Sequence, residues 1–328
     1  MNSDISVQLR DGIEITLSTG EQIVLDGAKE DLTPVVSHAH GDHIVDGTTE
    51  IVASNLTAAL TSVRQDHNIK SSSNPAVTLH DAGHIAGSRA IEITDQESEI
   101  TYLYTGDYST RDRFYLSGFD PIDADILITE TTYGKPEYTF PPTKEVVREI
   151  NDWLEATMDE VVILFGYALG RAQKLQRILA GSCRNTIYVT DAVADLNDVI
   201  TSYCDVQFPA KRYSTETTLE EGDALVLPMQ TSRLAWIESL IEKHDAITAG
   251  FSGWAVDDSF IYRRGLDRGF VLSDHCDYSE LVDVVESVDP DQIYTYHGFS
   301  EEFATHLATE MGYSAQALKQ NQSTLSDF

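Results

Sequence analysis

The segment Ser37–His43 reads SHAHGDH and places His38, His40, Asp42 and His43 within six positions. Imidazole nitrogen and carboxylate oxygen are zinc ligands, and imidazole also carries protons near neutral pH. The apolar run TPVV precedes the histidines. An extended backbone there sends His38 and His40 to the same side. Ala39 and Gly41 leave room for a crowded centre, and Asp42 and His43 turn toward a second ion. A lone histidine is usually a satisfied core or surface residue; this grouping predicts a metal site.

Other residues of the same types stand at the ends of apolar runs. They are Asp26 in IVLDG, His84 in DAGHIAGS, Asp107 in YLYTGDYS, Glu130 in ILITETTYG, His275 in SDHCDYSEL and His297 in YTYHGF. Alone, each is weak, since Asp107 would most often be a turn residue. His67, His80, His244 and His306 sit in no such setting and carry no assignment.

The elements that must position these residues fall into distinct textures. Residues 1–140 are rich in short β runs such as IEITL, QIVLDG, TPVVSH, AIEIT and ITYLYTGD, with one clear helix over residues 55–67. After Pro141 and Pro142, strands and helices alternate: VVILFG, GRAQKLQRILAG, TIYVT, ADLNDVITSYC, ALVLP and RLAWIESLIEKH. Such alternation predicts an α/β region with a parallel sheet. From residue 269 the strands GFVLSDH and QIYTYHG return around the helical SELVDVVESV. The fold class is therefore α/β, with a β-rich part at 1–140, an α/β insert at 141–268 and a return at 269–328.

Composition limits the setting. The chain has 328 residues and a formal net charge of −32, from 54 acidic against 22 basic side chains. Charge of that size repels polyanions at low salt and is screened near molar salt. We therefore expect a cytoplasmic protein from a salt-accumulating halophile. No apolar run reaches membrane-spanning length, and MNSDISVQLRDG shows no secretory signal. Cys183, Cys204 and Cys276 form no CxxC pair, so reduced structural cysteines are expected.

In combination, Asp26, the H-x-H-x-D-H segment, His84 and Asp107 resemble the metallo-β-lactamase superfamily. Glu130 with Thr-Tyr-Gly, His275 and His297 resemble motifs A, B and C of its β-CASP nuclease branch. GYALGRAQKLQ and AGFSGW resemble segments of that branch's insert. The resemblance runs from Asp26 to about His297. It implies an αββα sandwich interrupted by a β-CASP α/β domain, and two Zn²⁺ per chain. His38, His40 and His84 would hold one ion, Asp107 would bridge, and Asp42, His43 and His297 would hold the other. Asp42, Glu130 and His275 would be catalytic, with His275 protonating the leaving oxygen and Glu130 orienting it.

The function implied is hydrolysis of phosphodiester bonds in single-stranded RNA by a hydroxide activated between two metals. A motif C histidine favours RNA processing. The compact chain also resembles bacterial exonucleases of DNA ligase operons, which keeps a DNA exonuclease as the alternative. A small-molecule (thio)ester or lactam hydrolase needs neither insert nor motifs A to C. Arg171, Lys174 and Arg177 recur every three residues and are candidates for backbone phosphate contacts, or else a solvated helix face. A homodimer is an assembly compatible with this reading, and no membrane partner is expected.

Overall fold

The computed structural model describes residues 6–320, so the outermost residues of the first and third expected segments lie outside the described residues. The chain divides into two compact units. One holds residues up to Asp112, Ser117–Pro136 and the chain from Tyr278 onward. The other holds Arg113–Leu116 and Glu137–Asp277.

In the first unit, strands Ser6–Arg10, Gly12–Thr16 and Gln22–Leu25 pair antiparallel. In Gly12–Thr16, Ile13 and Ile15 are buried while their neighbours are partly exposed, the period-two pattern of a strand covered on one face. A mixed six-stranded sheet runs in the order Ala315–Ala317, Gln292–Tyr296, Ile126–Glu130, Ile100–Tyr104, Arg89–Asp95, Val77–Asp81. Its Ile91, Ile93, Tyr102, Tyr104, Ile128 and Tyr296 share one core with Ile13, Ile15, Ile23 and Leu25. The two sheets thus face each other across apolar side chains. Asp95 also links them, accepting from Ser18 N and Ser18 Oγ, each at 2.7 Å. Those donors hold its carboxyl well below the usual range despite the opposing effect of burial.

The expected strand TPVVSH is reduced to single bridges from Val35 to Leu25 and Val52. The chain must leave the sheet there so that Ser37 N can bond Asp26 Oδ1 at 2.7 Å. Helix Ser300–Thr309 and strand Ala315–Ala317 extend the unit beyond the last expected element.

The second unit is built on a parallel sheet in the order Lys211–Arg212, Ile187–Val189, Ala224–Pro228, Val162–Gly166, Ile247–Phe251, Arg268–Phe270. Val162–Gly166 and Ala224–Pro228 are buried at every position. Separate apolar clusters cover their two faces, as a doubly wound sheet requires. One expectation is corrected here. The strand beginning near residue 269 pairs with Ile247–Phe251 inside this sheet, so the second unit runs on to Asp277. Phe270 stacks on Phe251 at 5.2 Å, which fixes it there. No helix among the described residues is long and apolar enough to cross a membrane.

Candidate metal centre

Strand ends deliver the site. His84 follows Val77–Asp81, Asp107 follows Ile100–Tyr104, and His297 follows Gln292–Tyr296. These are the places where a sheet stops satisfying backbone groups and side chains can converge. His38, His40, His84 and Asp107 bring one ligand atom each to within 4.8 Å of the others, and so do His43, Asp107 and His297. His84 Nε2 lies 3.1 Å from His40 Nδ1. Asp107 Oδ2 lies 3.5 Å from His38 Nε2, 3.6 Å from His43 Nε2 and 3.7 Å from His84 Nε2. Ligands about 2.0–2.2 Å from a tetrahedral ion stand roughly 3.4 Å apart, so the spacing fits a metal.

Asp26 orients this set. Its carboxylate accepts from Ser37 N at 2.7 Å, Ser37 Oγ at 2.5 Å, Tyr104 OH at 2.7 Å and His43 Nδ1 at 2.8 Å. The bond to Asp26 spends the Ser37 hydroxyl proton. Ser37 Oγ must then accept from His38 Nδ1, 2.9 Å away. Both His38 and His43 thus donate from Nδ1, which leaves Nε2 on the side of Asp107. A carboxylate behind a ligating imidazole is the usual way a metal site fixes tautomer and ring angle. The buried His43 Nε2 has no hydrogen-bond partner among the described residues, as suits an atom reserved for an ion. Burial opposes a charged His43, but Asp107 and Asp26 outweigh it and raise its pKa to about 10. In the bare chain the cluster is short of positive charge. A divalent ion supplies that charge and displaces the proton.

Two of these residues have strained backbones. Asp26 (φ 47°) and His297 (φ 58°) lie in the left-handed region that non-glycine residues seldom enter. For His297 the neighbouring turn enforces it: its carbonyl accepts from Thr131 Oγ1 at 2.5 Å. A Cβ on the following Gly298 would sit 2.3 Å from Thr131 O. Strain held in place this way is common where geometry serves function.

Asp42 departs from the expected ligand set. The turn closed by His43 N to His40 O at 3.2 Å sends its side chain outward. It is 72% exposed, 3.8 Å from His43 Nε2, and outside the convergent groups.

No known protein-family profile matches the chain. It is 36% identical over 296 residues to a protein of Opitutus terrae named "Probable DNA ligase", covering 86% of this chain and 28% of that one. It is 34% identical over 122 residues to the "RNase J-like protein" of Methanocaldococcus jannaschii, covering 34% and 28%. It is 35% identical over 106 residues to "Endoribonuclease YSH1" of Yarrowia lipolytica, covering 31% and 12%. The chain belongs to the β-CASP branch of the metallo-β-lactamase superfamily. It spans under a third of the length of these relatives. A protein of unknown function from Enterococcus faecalis V583 shares the fold, with TM-score 0.62, 12% identity and 97% of both chains covered.

The remaining β-CASP motif residues lie on either side of the unit division. Glu130 ends its strand, is 1% exposed, and accepts from Thr132 N at 2.9 Å. His275 belongs to the second unit, where Ser273 Oγ accepts its backbone N–H at 3.0 Å.

The basic helix of the second unit needs correction. In Arg171–Ala180, Arg171 is 2% exposed and Lys174 is fully buried. Arg171 donates to Asp274 Oδ2 at 2.9 Å and to Phe251 O at 2.6 Å, and Lys174 pairs with Asp274 Oδ1. Burial lowers the Lys174 pKa to about 7 against the pull of Asp274. Gln173 and Gln176 are also buried and bond Asn197. This face of the helix is therefore internal and offers no phosphate contact. Of the three candidates only Arg177 is exposed, bonding Gln207 O at 3.1 Å.

Sequence reasoning missed Ser37 and Tyr104 as supports of the centre. The signal available was the Ser directly before His38 and the Tyr three residues before Asp107.

Proposed function

We propose that the protein is a zinc-dependent nuclease that hydrolyses phosphodiester bonds of single-stranded nucleic acid, RNA in the first reading. The convergence of His38, His40, His84 and Asp107, with His43 and His297 joining Asp107, is the observation that carries it. We read the first unit as the αββα sandwich of the superfamily and the second as its β-CASP insert. An all-nitrogen-and-oxygen donor set of this kind suits zinc, and two ions are in keeping with the overlapping groups around Asp107. Bound there, the ions would offset phosphate charge and make water a stronger nucleophile.

The chain's own residues do the rest. His38 and His43 are held in one tautomer through Ser37 and Asp26. Asp107 is buried at 6% exposure, so its charge acts in a medium that screens it little. We assign His275 the protonation of the leaving oxygen and Glu130 its orientation, carried over from the family motifs; an unprotonated alkoxide leaves poorly at neutral pH. Asp42 retains a catalytic assignment from its motif, at the rim of the cluster.

A DNA exonuclease is the second reading. The match across 86% of this chain to a protein named a DNA ligase favours it. Relatives named as RNases, and the histidine at 297, favour RNA. The charge of −32 fits a cytoplasm of high salt, so assays belong near molar salt. Zinc-loaded protein is incubated there with labelled single-stranded RNA and DNA in parallel. Cutting of either, lost in His40→Ala, is expected, and the faster substrate names the strand. Cutting of neither removes the nuclease reading.

A further inference from the structure

The second unit carries a cavity that none of the candidate metal ligands line; Gly166 and Tyr167 of GYALGRAQKLQ and Phe251, Ser252 and Trp254 of AGFSGW do. The order in which its strands are laid down reverses at Val162–Gly166: Ile187–Val189 and Lys211–Arg212 lie to one side, Ile247–Phe251 and Arg268–Phe270 to the other. Open parallel sheets bind ligands beyond the carboxyl ends of strands at such a reversal. Here the chain beyond Gly166 supplies Tyr167, and the chain beyond Phe251 supplies Trp254. Both line a cavity of about 300 Å³ together with Tyr138, Arg263 and Arg264. That volume is at the small end of ligand pockets, room for one planar ring system rather than a folded partner.

The lining sets exposed aromatic rings beside two arginines. Tyr167 is 56% and Trp254 38% exposed, although large aromatics are usually withdrawn from water. Tyr138 packs edge-to-face on Trp254 at 5.1 Å and 80°, which stiffens the indole. The chain has 54 acidic and 22 basic residues, so a pocket that brings two arginines together concentrates scarce positive charge. Arg263 and Arg264 are exposed, and among the described residues neither forms an ion pair. The one acidic lining residue, Asp257, accepts from Ser259 N at 2.8 Å, and that bond, with a smaller pull from Arg263, holds its carboxyl below the usual range. Exposed rings beside two arginines are what a base with its phosphate requires.

We propose that this pocket holds one nucleotide of a single strand, its base stacked on Trp254 and Tyr167 and its phosphate on Arg263 and Arg264. The occupant's identity as a nucleic acid rests on the nuclease reading; the pocket's chemistry does not. The site would grip the strand independently of the metals.

The test uses full-length protein stripped of metal by chelator, so that binding is read without cutting. Fluorescence anisotropy of a short labelled single strand is followed for wild type, Trp254→Ala, Trp254→Phe and the double variant Arg263→Gln/Arg264→Gln. Trp254→Ala is expected to weaken binding about tenfold or more, with Trp254→Phe restoring most of it. The arginine variant is expected to lower the slope of log affinity against log salt by about one. An abasic strand should bind wild type as weakly as the intact strand binds Trp254→Ala. Equal binding by wild type and Trp254→Ala overturns the proposal, as does equal binding of abasic and intact strands. Thermal melting of each variant separates unfolding from lost contact, and the abasic strand on wild type decides the matter if Trp254→Ala does not fold. If zinc-loaded wild type cuts but these binding differences are absent, the pocket fails and the nuclease reading stands. If they are present without cutting, the reverse holds.

Discussion

Two clusters of charged side chains, one in each unit, look alike in the sequence and differ in the structure. Around Asp107, imidazoles from the SHAHGDH turn and from two strand ends converge on one carboxylate. Around Asp274, Arg171 and Lys174 turn their protons toward one carboxylate and satisfy it. The first cluster is negative and incomplete, and takes up a proton at His43 where an ion belongs. The second is closed by its own partners and buried at 1% exposure of Asp274. What separates a site from a strut is therefore whether the donors and acceptors cancel internally. Residue type and spacing do not report that.

The largest expected effect breaks the first cluster. Asp107→Ala removes the carboxylate common to both ligand groups. Cutting should fall by more than about 100-fold and bound zinc should drop with it, measured by elemental analysis of folded protein. Retained zinc would show that the imidazoles suffice.

Breaking the second cluster should act on stability instead. Asp274→Asn leaves the buried Arg171 charge and the Lys174 amine facing a neutral amide. A loss of about 3–5 kcal/mol is expected, read from the denaturant midpoint, with zinc content unchanged. Zinc lost along with stability would blur the distinction.

Asp26→Asn sharpens the contrast from the side of support. It touches no expected ion, but weakens the acceptor of His43 Nδ1–H and Ser37 Oγ–H. Zinc affinity should fall about 10- to 100-fold, with cutting regained in excess zinc. An unchanged zinc titration would contradict the tautomer argument.

The smallest effect belongs to Arg177→Ala. This exposed side chain bonds only the Gln207 carbonyl among the described residues, so stability should change within about 0.5 kcal/mol, seen as an unmoved denaturation midpoint.

Much of this was legible in advance. The H-x-H-x-D-H spacing, with His84, Asp107 and His297 at strand ends, pointed to side chains that the fold brings together, because a strand's end and a ligand's type are both local signals. The alternation after Pro142 located the α/β unit. The polarity of Arg171, Gln173, Lys174 and Gln176 concealed their burial, because each is satisfied by a residue distant in sequence, Asp274 or Asn197. The strand Ile247–Phe251 does not stand out in the sequence. Its Gly250 interrupts the apolar run because Leu266 and Phe260 pack where a Cβ would stand. Asp42 was misdirected by adjacency: a turn between His40 and His43 points it outward, and composition carries no record of that turn. The orienting roles of Ser37 and Tyr104 depend on Asp26, which the folding of two sheets onto each other brings to them.

The central claim is that the SHAHGDH cluster holds metal and that this metal runs strand cleavage. Chelated protein, titrated with zinc near molar salt while cutting of a labelled single strand is followed, tests it most directly. The account predicts no cutting at the start and recovery that saturates at two zinc per chain. Cutting that persists in the chelated protein, or fails to return as zinc binds, would contradict it.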